Sequence, residues 1–240
     1  MNRGQLQPAY VLHRRDYGDT SLLLELFTAG HGRLPLVAKG ARRGRRAGGS
    51  QAALLQPFAP LLVAWTGRGE VRTLTHAESA GRAAALAGDA LYCAFYVNEL
   101  LLRLLGREEA DQVLFGAYQQ VLAALAVAGP ADTPLRRFEL TLLEQLGYCP
   151  PLDREAETGR PVQPERRYVC DLERGPLPAV TADAPGAVSG ATLLALQAGD
   201  MLTGCGVREA RDLLRKLLAP HLGEKPLLSR ALFAARRRPA

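Results

Sequence analysis

The sequence predicts an α+β multidomain protein in which a small β-barrel precedes an α-helical bundle with a small irregular insert. Short apolar runs alternate with glycine-rich turns through residue 80, and helical periodicity replaces this pattern from residue 81. Seven of the 16 prolines fall within residues 147–188, where aliphatic side chains are sparse. We therefore expect the barrel at 1–80, the helical domain at 81–146 with 189–240, and the insert at 147–188.

Five strand-like segments predict the barrel. Glycine-containing turns separate them at Asp16–Asp19, Gly30–Gly32 and Gly67–Gly69. Between the third and fourth strands, Gly40–Ser50 has no apolar periodicity and predicts a long loop. The strands are expected at Tyr10–Arg15, Ser21–Thr28, Arg33–Lys39, Pro60–Thr66 and Glu70–His76. Short strands with such turns are typical of a small barrel.

Six helices are predicted after the barrel. Thr133 is a candidate N-cap before Pro134, and Gly147 ends the same helix. Ser189 is a second N-cap candidate. The helices are expected at Ala83–Leu105, Glu108–Ala128, Pro134–Leu146, Ser189–Asp200, Val207–Leu218 and Pro226–Ala235. Their short connections predict a bundle.

Composition indicates a folded chain without a membrane span. Hydrophobic residues make up 48% and charged residues 22% of the 240 residues, and no apolar run reaches about 18 residues. The N-terminal residues lack the apolar stretch of a secretory signal, so we expect a cytoplasmic protein. The cysteines lie too far apart for a zinc knuckle or a redox motif and are expected to be reduced thiols. They are Cys93, Cys149, Cys170 and Cys205.

The positive charge of the chain is concentrated in its first third. Residues 1–80 hold 11 basic and 5 acidic side chains, whereas residues 81–240 hold 19 of each. No acidic residue lies between Glu25 and Glu70. A one-sided field of this kind attracts polyanions.

The segment Lys39–Arg46, KGARRGRR, is the strongest candidate for a nucleic-acid contact. Its glycines allow close approach, and its guanidinium groups can bind phosphates. Tyr17 is a candidate for stacking on bases, whereas Phe27, Phe58 and Trp65 lie in apolar runs and are expected in the core. The candidate contact residues are Arg33, Lys39, Arg42, Arg43, Arg45 and Arg46, with Arg14, Arg15, Arg68 and Arg72 as extensions. The alternative is a solvated loop in an arginine-rich chain.

No enzyme motif is found in the sequence. The patterns G-x-x-x-x-G-K-[ST], G-x-G-x-x-G, H-E-x-x-H and G-x-S-x-G are absent, and the four histidines are scattered. We therefore predict that the protein is not an enzyme and has no catalytic residues. Asn98 and Glu99 lie in an otherwise apolar helix, where a buried, hydrogen-bonded pair is favoured over the lip of a partner groove.

Several short motifs resemble one protein family in their order and spacing. Residues 10–43, YVLHRRDYGDTSLLLELFTAGHGRLPLVAKGARR, contain a Y-G-D turn, an L-F-T strand and V-A-K-G before basic residues. LQPF, GRGE, LTHAE, YVNEL, FEL and LGY follow at 55–58, 67–70, 74–78, 96–100, 138–140 and 146–148. Together they resemble the RecO family of bacterial DNA repair proteins over about the first 160 residues, and more loosely beyond.

This resemblance implies an N-terminal OB-fold, a helical domain and a small zinc-ribbon-like module. It implies a non-enzymatic recombination mediator of the RecF pathway, associated with the nucleoid. Such proteins bind single- and double-stranded DNA and anneal complementary strands, including strands coated by the single-strand-binding protein SSB. They act with RecR to load RecA, and the acidic C-terminal tail of SSB binds their helical part.

The sequence departs from the zinc module of the family, which usually reads G-Y-x-P-x-L-x-x-C-x-x-C-G before a second C-x-x-C. Three of the four cysteine positions hold Glu155, Thr158 and Glu173, and only Cys170 remains. We predict that the module keeps its shape without metal, through packing and hydrogen bonds. The alternative is an unusual zinc site that uses Cys149, Cys170 and a carboxylate. The residues that keep the frame are Gly147, Tyr148, Pro150, Leu152 and Gly159.

Two other functions fit the same sequence. A small barrel with a basic loop also suits an RNA-binding module. Alternatively, the helical bundle is a protein-interaction scaffold and the basic loop is incidental.

Overall fold

A closed five-stranded β-barrel opens the computed structural model, which describes residues 6–43, 50–181 and 183–230. The strands follow the order β1-β2-β3-β5-β4, and β1 pairs with β4 to close the ring. Neighbouring strands are antiparallel except β3 and β5, which run parallel. The strands are β1 (Gln7–Tyr17), β2 (Ser21–Thr28), β3 (Gly32–Ala38), β4 (Leu61–Thr66) and β5 (Arg72–Ser79). This OB-like barrel confirms the predicted fold class.

Alternating side chains fill the interior of the barrel. In β2, Leu22, Leu24 and Leu26 are buried and Leu23 and Glu25 between them are only partly covered, the period-2 pattern of a strand with one face in a core. A four-residue helix, α1 (Gln51–Leu54), packs with the following Leu55 against this core. The Ser50 hydroxyl accepts a hydrogen bond from the Ala52 amide and caps α1. The predicted loop Gly40–Ser50 ends directly before this helix, and the helix itself was not predicted.

Strand β1 is longer than predicted, because it pairs with β2 as far as the hairpin. The sequence predicted an end at Arg15, but the register continues to the pair Tyr17 and Ser21. The predicted strand Glu70–His76 is displaced, since β5 begins at Arg72 and ends at Ser79.

Two helices, α2 (Gly88–Leu104) and α3 (Gln112–Leu125), begin later than predicted. Residues 83–87 have high helical propensity but no fully buried side chain, and propensity alone seldom holds a short helix. Glu108 has a positive φ of 62° and cannot start a helix. The side chain of Asp111 caps α3 instead, by accepting a hydrogen bond from the Leu114 amide at 2.8 Å.

An aromatic cluster joins α3 to the outer wall of the barrel. Tyr10 of β1 and Phe27 of β2 face each other in the register. Each of these rings lies 5.1–5.9 Å from the rings of Phe115 and Tyr118, in tilted or edge-on arrangements. Such pairs contribute about 0.5–1.5 kcal/mol beyond area burial. Phe27 therefore belongs to the core between barrel and helix.

Asn98 adds a polar link at the same junction. Its side-chain amide donates to the Leu12 carbonyl of β1 at 2.8 Å, and its carbonyl accepts from the Tyr118 hydroxyl at 2.7 Å. Burial raises the pKa of Tyr118 well above its ordinary value, so this hydroxyl stays protonated. Glu99 accepts hydrogen bonds from Ser229 and from the Leu228 amide. Asn98 is buried and hydrogen-bonded as predicted, whereas Glu99 is hydrogen-bonded but only partly buried.

The insert is not irregular, which corrects the prediction from its prolines. It contains a three-stranded antiparallel sheet in the order β7-β6-β8. Tyr168 and Cys170 of the middle strand are buried, and the burial of β6 alternates as in any half-covered strand. The strands are β6 (Arg167–Asp171), β7 (Gly175–Pro178) and β8 (Ala187–Ser189). The short alternation in RYVCD was hidden by the surrounding prolines and charges.

Three further helices pack with this sheet. They are α4 (Asp132–Gln145), α5 (Gly190–Ala198) and α6 (Cys205–Leu218), and a 3₁₀ turn follows α6. Glu209 of α6 accepts hydrogen bonds from the amide and hydroxyl of Ser189 and from the Thr192 hydroxyl, and pairs with Arg167 at 2.8 Å. It thereby joins α6 to β6 and to the start of α5.

The contacts group the chain into two units. The first unit contains the barrel, α2, α3 and the residues from Leu227 onward, and the second is Val127–Pro226. The boundaries of independently folding domains at 1–80, 81–146 with 189–240, and 147–188 stay a prediction. For the last predicted helix, residues 228–230 are helical and those beyond lie outside the described residues. In the described part of the chain, no helix is long and apolar enough to cross a membrane.

Replacing Asn98 with leucine is expected to destabilise the first unit by about 2–3 kcal/mol, because the Leu12 carbonyl and the Tyr118 hydroxyl lose their buried partner. Urea unfolding followed by the fluorescence of Trp65, the single tryptophan, measures this change. The matched control is Gln120→Leu at an exposed position of α3, for which we expect a change within about 0.5 kcal/mol. Equal stability of Asn98→Leu and wild type would contradict the role of this link.

Glu209 is expected to make the stability of the second unit sensitive to acid. Burial opposes ionisation, but hydrogen bonds from Ser189, Thr192 and Arg167 outweigh it and lower the pKa of Glu209 from 4.5 to about 2. The ionised carboxylate therefore stabilises the fold fully above pH 4.5, and this contribution is lost as the pH falls toward about 2.

Urea unfolding by circular dichroism tests this expectation. Glu209→Gln should lose about 2–3 kcal/mol at pH 7 and show a weaker fall in stability below pH 4.5 than wild type. Glu165→Gln, at an exposed position, is the control. Parallel pH profiles for wild type and Glu209→Gln would rule out this role.

Candidate nucleic-acid interface

The outer wall of β1, β2 and β3 is divided into three regions along the strands. Around Tyr10 and Phe27 it is covered by α3. Around Glu25 it carries a group of ion pairs. Toward the β1–β2 hairpin it is exposed, and there Tyr17 pairs with Ser21 and Arg15 pairs with Leu23. Since Leu23 in turn pairs with Val37 of β3, this last region spans three strands.

The middle region uses two of the predicted contact residues. The guanidinium of Arg33 donates to the carbonyl of Leu102, in the last turn of α2. Burial lowers the pKa of Arg33, Glu25 opposes this effect and Arg107 adds to it. Arg72 pairs with Glu108 at 2.6 Å, and its side chain is only 15% exposed. Both cations therefore hold the barrel to the segment that joins α2 and α3.

Arg107 completes this middle region. It lies 3.6 Å from Glu25 and 4.0 Å from Glu70, so acidic residues distant in sequence offset the local excess of positive charge. These pairs could not be predicted from sequence patterns, because they join residues about 40 to 80 positions apart.

Arg14 also has a structural position. Its guanidinium donates to the carbonyls of Ala52 and Leu55, at 2.7 and 3.2 Å, and so ties β1 to α1. Arg14 pairs with Leu24 in the register, whereas Arg15 pairs with the outward Leu23. The alternation of a strand places the two neighbouring arginines on opposite faces, and a register shift between Val11 and His13 decides which of them faces inward.

The remaining predicted contact residues within the described ranges are exposed. Arg15, Lys39, Arg43 and Arg68 form no ion pair with any residue in the described ranges, and Arg68 occupies the turn between β4 and β5. Arg42 pairs with Asp16 at 3.0 Å, with both side chains partly exposed. Arg45 and Arg46 lie outside the described residues. We use the name open face for the set Arg15, Tyr17, Lys39, Arg42 and Arg43.

The open face has the chemistry of a phosphate-binding surface. Mobile ammonium and guanidinium groups in water can neutralise phosphates and release counterions without a preformed pocket. Tyr17 supplies an aromatic ring that is 53% exposed. The structure thus brings together part of the predicted set and assigns Arg14, Arg33 and Arg72 to contacts within the fold.

The residues at the degenerate zinc positions do not fit a structural zinc site. Glu155 is buried and accepts a hydrogen bond from the Thr158 hydroxyl at 2.6 Å, while Glu173 is exposed. Burial raises the pKa of Cys170 to about 11, and burial, Glu144 and Cys170 raise that of Cys149 to about 12. A cysteine binds zinc as the thiolate, whereas burial at these two positions favours the thiol. Among residues 6–43, 50–181 and 183–230, no three potential ligands gather.

These features define a class of protein in which an OB-like barrel with a basic outer face is followed by helices. Residues 1–82 match the family described as Recombination protein O N terminal, and residues 86–231 match Recombination protein O C terminal. The chain belongs to the RecO family of DNA repair proteins. This is a family of DNA repair mediators and not of known enzymes.

Relatives resemble the chain over nearly its whole length. The DNA repair protein RecO of Methylococcus capsulatus is 50% identical over 232 residues, which cover 97% of this chain and 94% of the relative. That of Nitrosococcus oceani is 49% identical over 234 residues, with 97% and 94% covered. That of Nitrosospira multiformis is 43% identical over 233 residues, with 96% and 95% covered.

Proposed function

We propose that the open face binds the phosphates of single- and double-stranded DNA. The observation that supports this most directly is that Arg15, Lys39 and Arg43 are exposed on an OB-like barrel and form no ion pair with any described residue. The face formed by the second and third strands is where OB-folds bind oligonucleotides. Arg68 in the β4–β5 turn, together with Arg45 and Arg46, which directly follow the open face in the sequence, is proposed as a further contact.

The same surface suits the annealing of complementary strands. Two strands repel each other through their phosphates, and a surface that neutralises both brings them together without any catalytic group. Arg15, Lys39 and Arg43 form no ion pair with a described carboxylate, so they can release one phosphate and bind another as the strands pair. We therefore infer that the protein anneals DNA, including strands coated by SSB. We also propose that it is cytoplasmic and associated with the nucleoid.

The wider role follows from the family. We propose that the protein acts with RecR, contacts the C-terminal tail of SSB, and helps to load RecA in the RecF pathway. DNA and recombination proteins are the partners that membership of the RecO family implies in general.

Removing three cations of the open face should weaken DNA binding in a salt-dependent way. For a site that neutralises about five single-strand phosphates, log K should fall against log salt with a slope near −3.5. The variant Arg15→Ala/Lys39→Ala/Arg43→Ala should flatten this slope by about 2 and weaken binding to all sequences alike. Fluorescence anisotropy with labelled oligonucleotides at several salt concentrations measures both effects.

A matched variant controls for the loss of net charge. Arg160→Ala/Arg166→Ala/Arg208→Ala removes the same three charges from exposed positions of the second unit and should leave the slope unchanged. The first triple variant should also lose the acceleration of annealing, with and without SSB. Unchanged slope and annealing would place the DNA site elsewhere, and a strong preference for RNA in competition would favour an RNA-binding module.

We also propose that the insert functions without a metal ion. Hydrogen bonds connect the two ends of the segment 154–161, and we infer that they hold its shape as a metal ion would. Thr158 donates to Glu155 and also accepts from the Arg160 amide at 3.2 Å, and the Glu155 amide donates to the Arg160 carbonyl at 2.8 Å. Tyr168, at the centre of the sheet, accepts from the Gln163 amide at 2.9 Å.

Purified protein is therefore expected to contain far less than one zinc per chain and to unfold at the same temperature with and without a chelator. Elemental analysis and thermal unfolding measure the two quantities. The variant Glu155→Cys/Thr158→Cys/Glu173→Cys supplies thiols at the three altered positions and should gain zinc or cobalt binding. Stoichiometric zinc in the wild type would overturn the proposal and favour a site that uses Cys149 and Cys170.

A further inference from the structure

A cavity of about 390 Å³ lies at the edge of the open face. This volume falls within the range of sites that hold small ligands. The walls combine an aromatic ring, an aliphatic side chain, two hydroxyls and two cations. They are contributed by Tyr17, Thr20, Ser21, Val37, Lys39 and Arg43.

Backbone hydrogen bonds hold the walls of this cavity in place. The amide of Arg42 donates to the Thr20 carbonyl at 2.9 Å, and the amide of Gly40 donates to the Ser21 hydroxyl at 3.4 Å. These bonds tie the residues after β3 to the β1–β2 turn. The Arg43 amide donates to the Gly40 carbonyl at 3.0 Å, which fixes the turn that carries the second cation. The cavity is therefore formed before any ligand binds.

The chemistry of the cavity matches one nucleotide. The ring of Tyr17 is 53% exposed and makes no ring contact with the described residues. Any base can stack on such a ring, because every base has a π face. The Thr20 and Ser21 hydroxyls can donate to or accept from the edge of a base. Lys39 and Arg43 are exposed and can reach the phosphates on either side.

We propose that this cavity receives one unstacked base of a single DNA strand, which stacks on Tyr17 while Lys39 and Arg43 bind its phosphates. The proposal rests on the proposed function of the open face. A base in a duplex is paired and stacked, so a duplex reaches the cations but not the ring. The cavity therefore favours single strands, and it must release its base when a complementary strand pairs.

The test compares Tyr17→Ala with wild type on three probes: a single-stranded oligonucleotide, the matching duplex, and a single strand of abasic sites. Tyr17→Ala should weaken binding to the single strand about tenfold and leave duplex and abasic binding within about twofold. The salt slope should stay unchanged, since no charge is removed. Tyr17→Phe keeps a ring and should retain wild-type affinity. Thermal unfolding checks that the exposed substitution leaves the fold intact.

The outcomes separate this inference from the proposed function. If wild type binds none of the probes, the proposed function fails. Suppose that wild type binds with the expected salt slope. If Tyr17→Ala then binds each probe as tightly as wild type does, or loses affinity for all three probes by the same factor, the base pocket is wrong and the proposed DNA surface stands. A peptide site is the other outcome. It would be indicated if an acidic peptide displaces the single strand only when Tyr17 is present, and if normal and abasic strands bind equally well. This result would overturn the base pocket.

Discussion

The contact between β1 and the helices α2 and α3 is the constraint on which the first unit depends. The carbonyl of Leu12 and the hydroxyl of Tyr118 are both buried at this contact and both require Asn98. A buried polar group without a partner costs more than the bond contributes when made, so Asn98 fixes one position of the helices on the wall. The aromatic cluster then covers the Tyr10 end of that wall. Among the described residues of this wall, Arg15 and Tyr17 at the opposite end, toward the hairpin, are exposed.

The same packing decides which cations can bind a ligand. A guanidinium at the edge of the covered region loses water, and the loss is tolerable only when carbonyls or carboxylates replace that water. Arg33 donates to a carbonyl at the end of α2 and Arg72 pairs with Glu108, so both guanidinium groups are engaged within the fold. Lys39 and Arg43 lie beyond the helices and keep their hydration. Exposure, and not the number of arginines in the sequence, separates the cations of the fold from those of the open face.

Sequence patterns predicted the barrel, its strand count and most helices, because each depends on local alternation or periodicity. The predicted boundaries were wrong where pairing or backbone conformation decided them. Strand β1 continues to Tyr17 because it pairs with β2, and α3 begins after its cap Asp111 because Glu108 adopts a positive φ. The charge asymmetry indicated the first 80 residues, yet it could not show that Arg107 meets Glu25 and Glu70. Alternation within β1 places Arg14 and Arg15 on opposite faces, but the register shift between Val11 and His13, which decides which of them faces inward, was not visible in the sequence.

In the second unit, carboxylates hold the three-stranded sheet to its neighbouring segments through hydrogen bonds. Zinc fixes a small module by joining distant ligands at one point, and a carboxylate with several donors can do the same through hydrogen bonds. Glu155 closes the segment before the sheet, and Glu209 joins the sheet to two helices. Tyr168 fills the centre and is fully buried. Glu209 acts in this way only when it is ionised, so the contribution of this carboxylate to the stability of the second unit depends on pH.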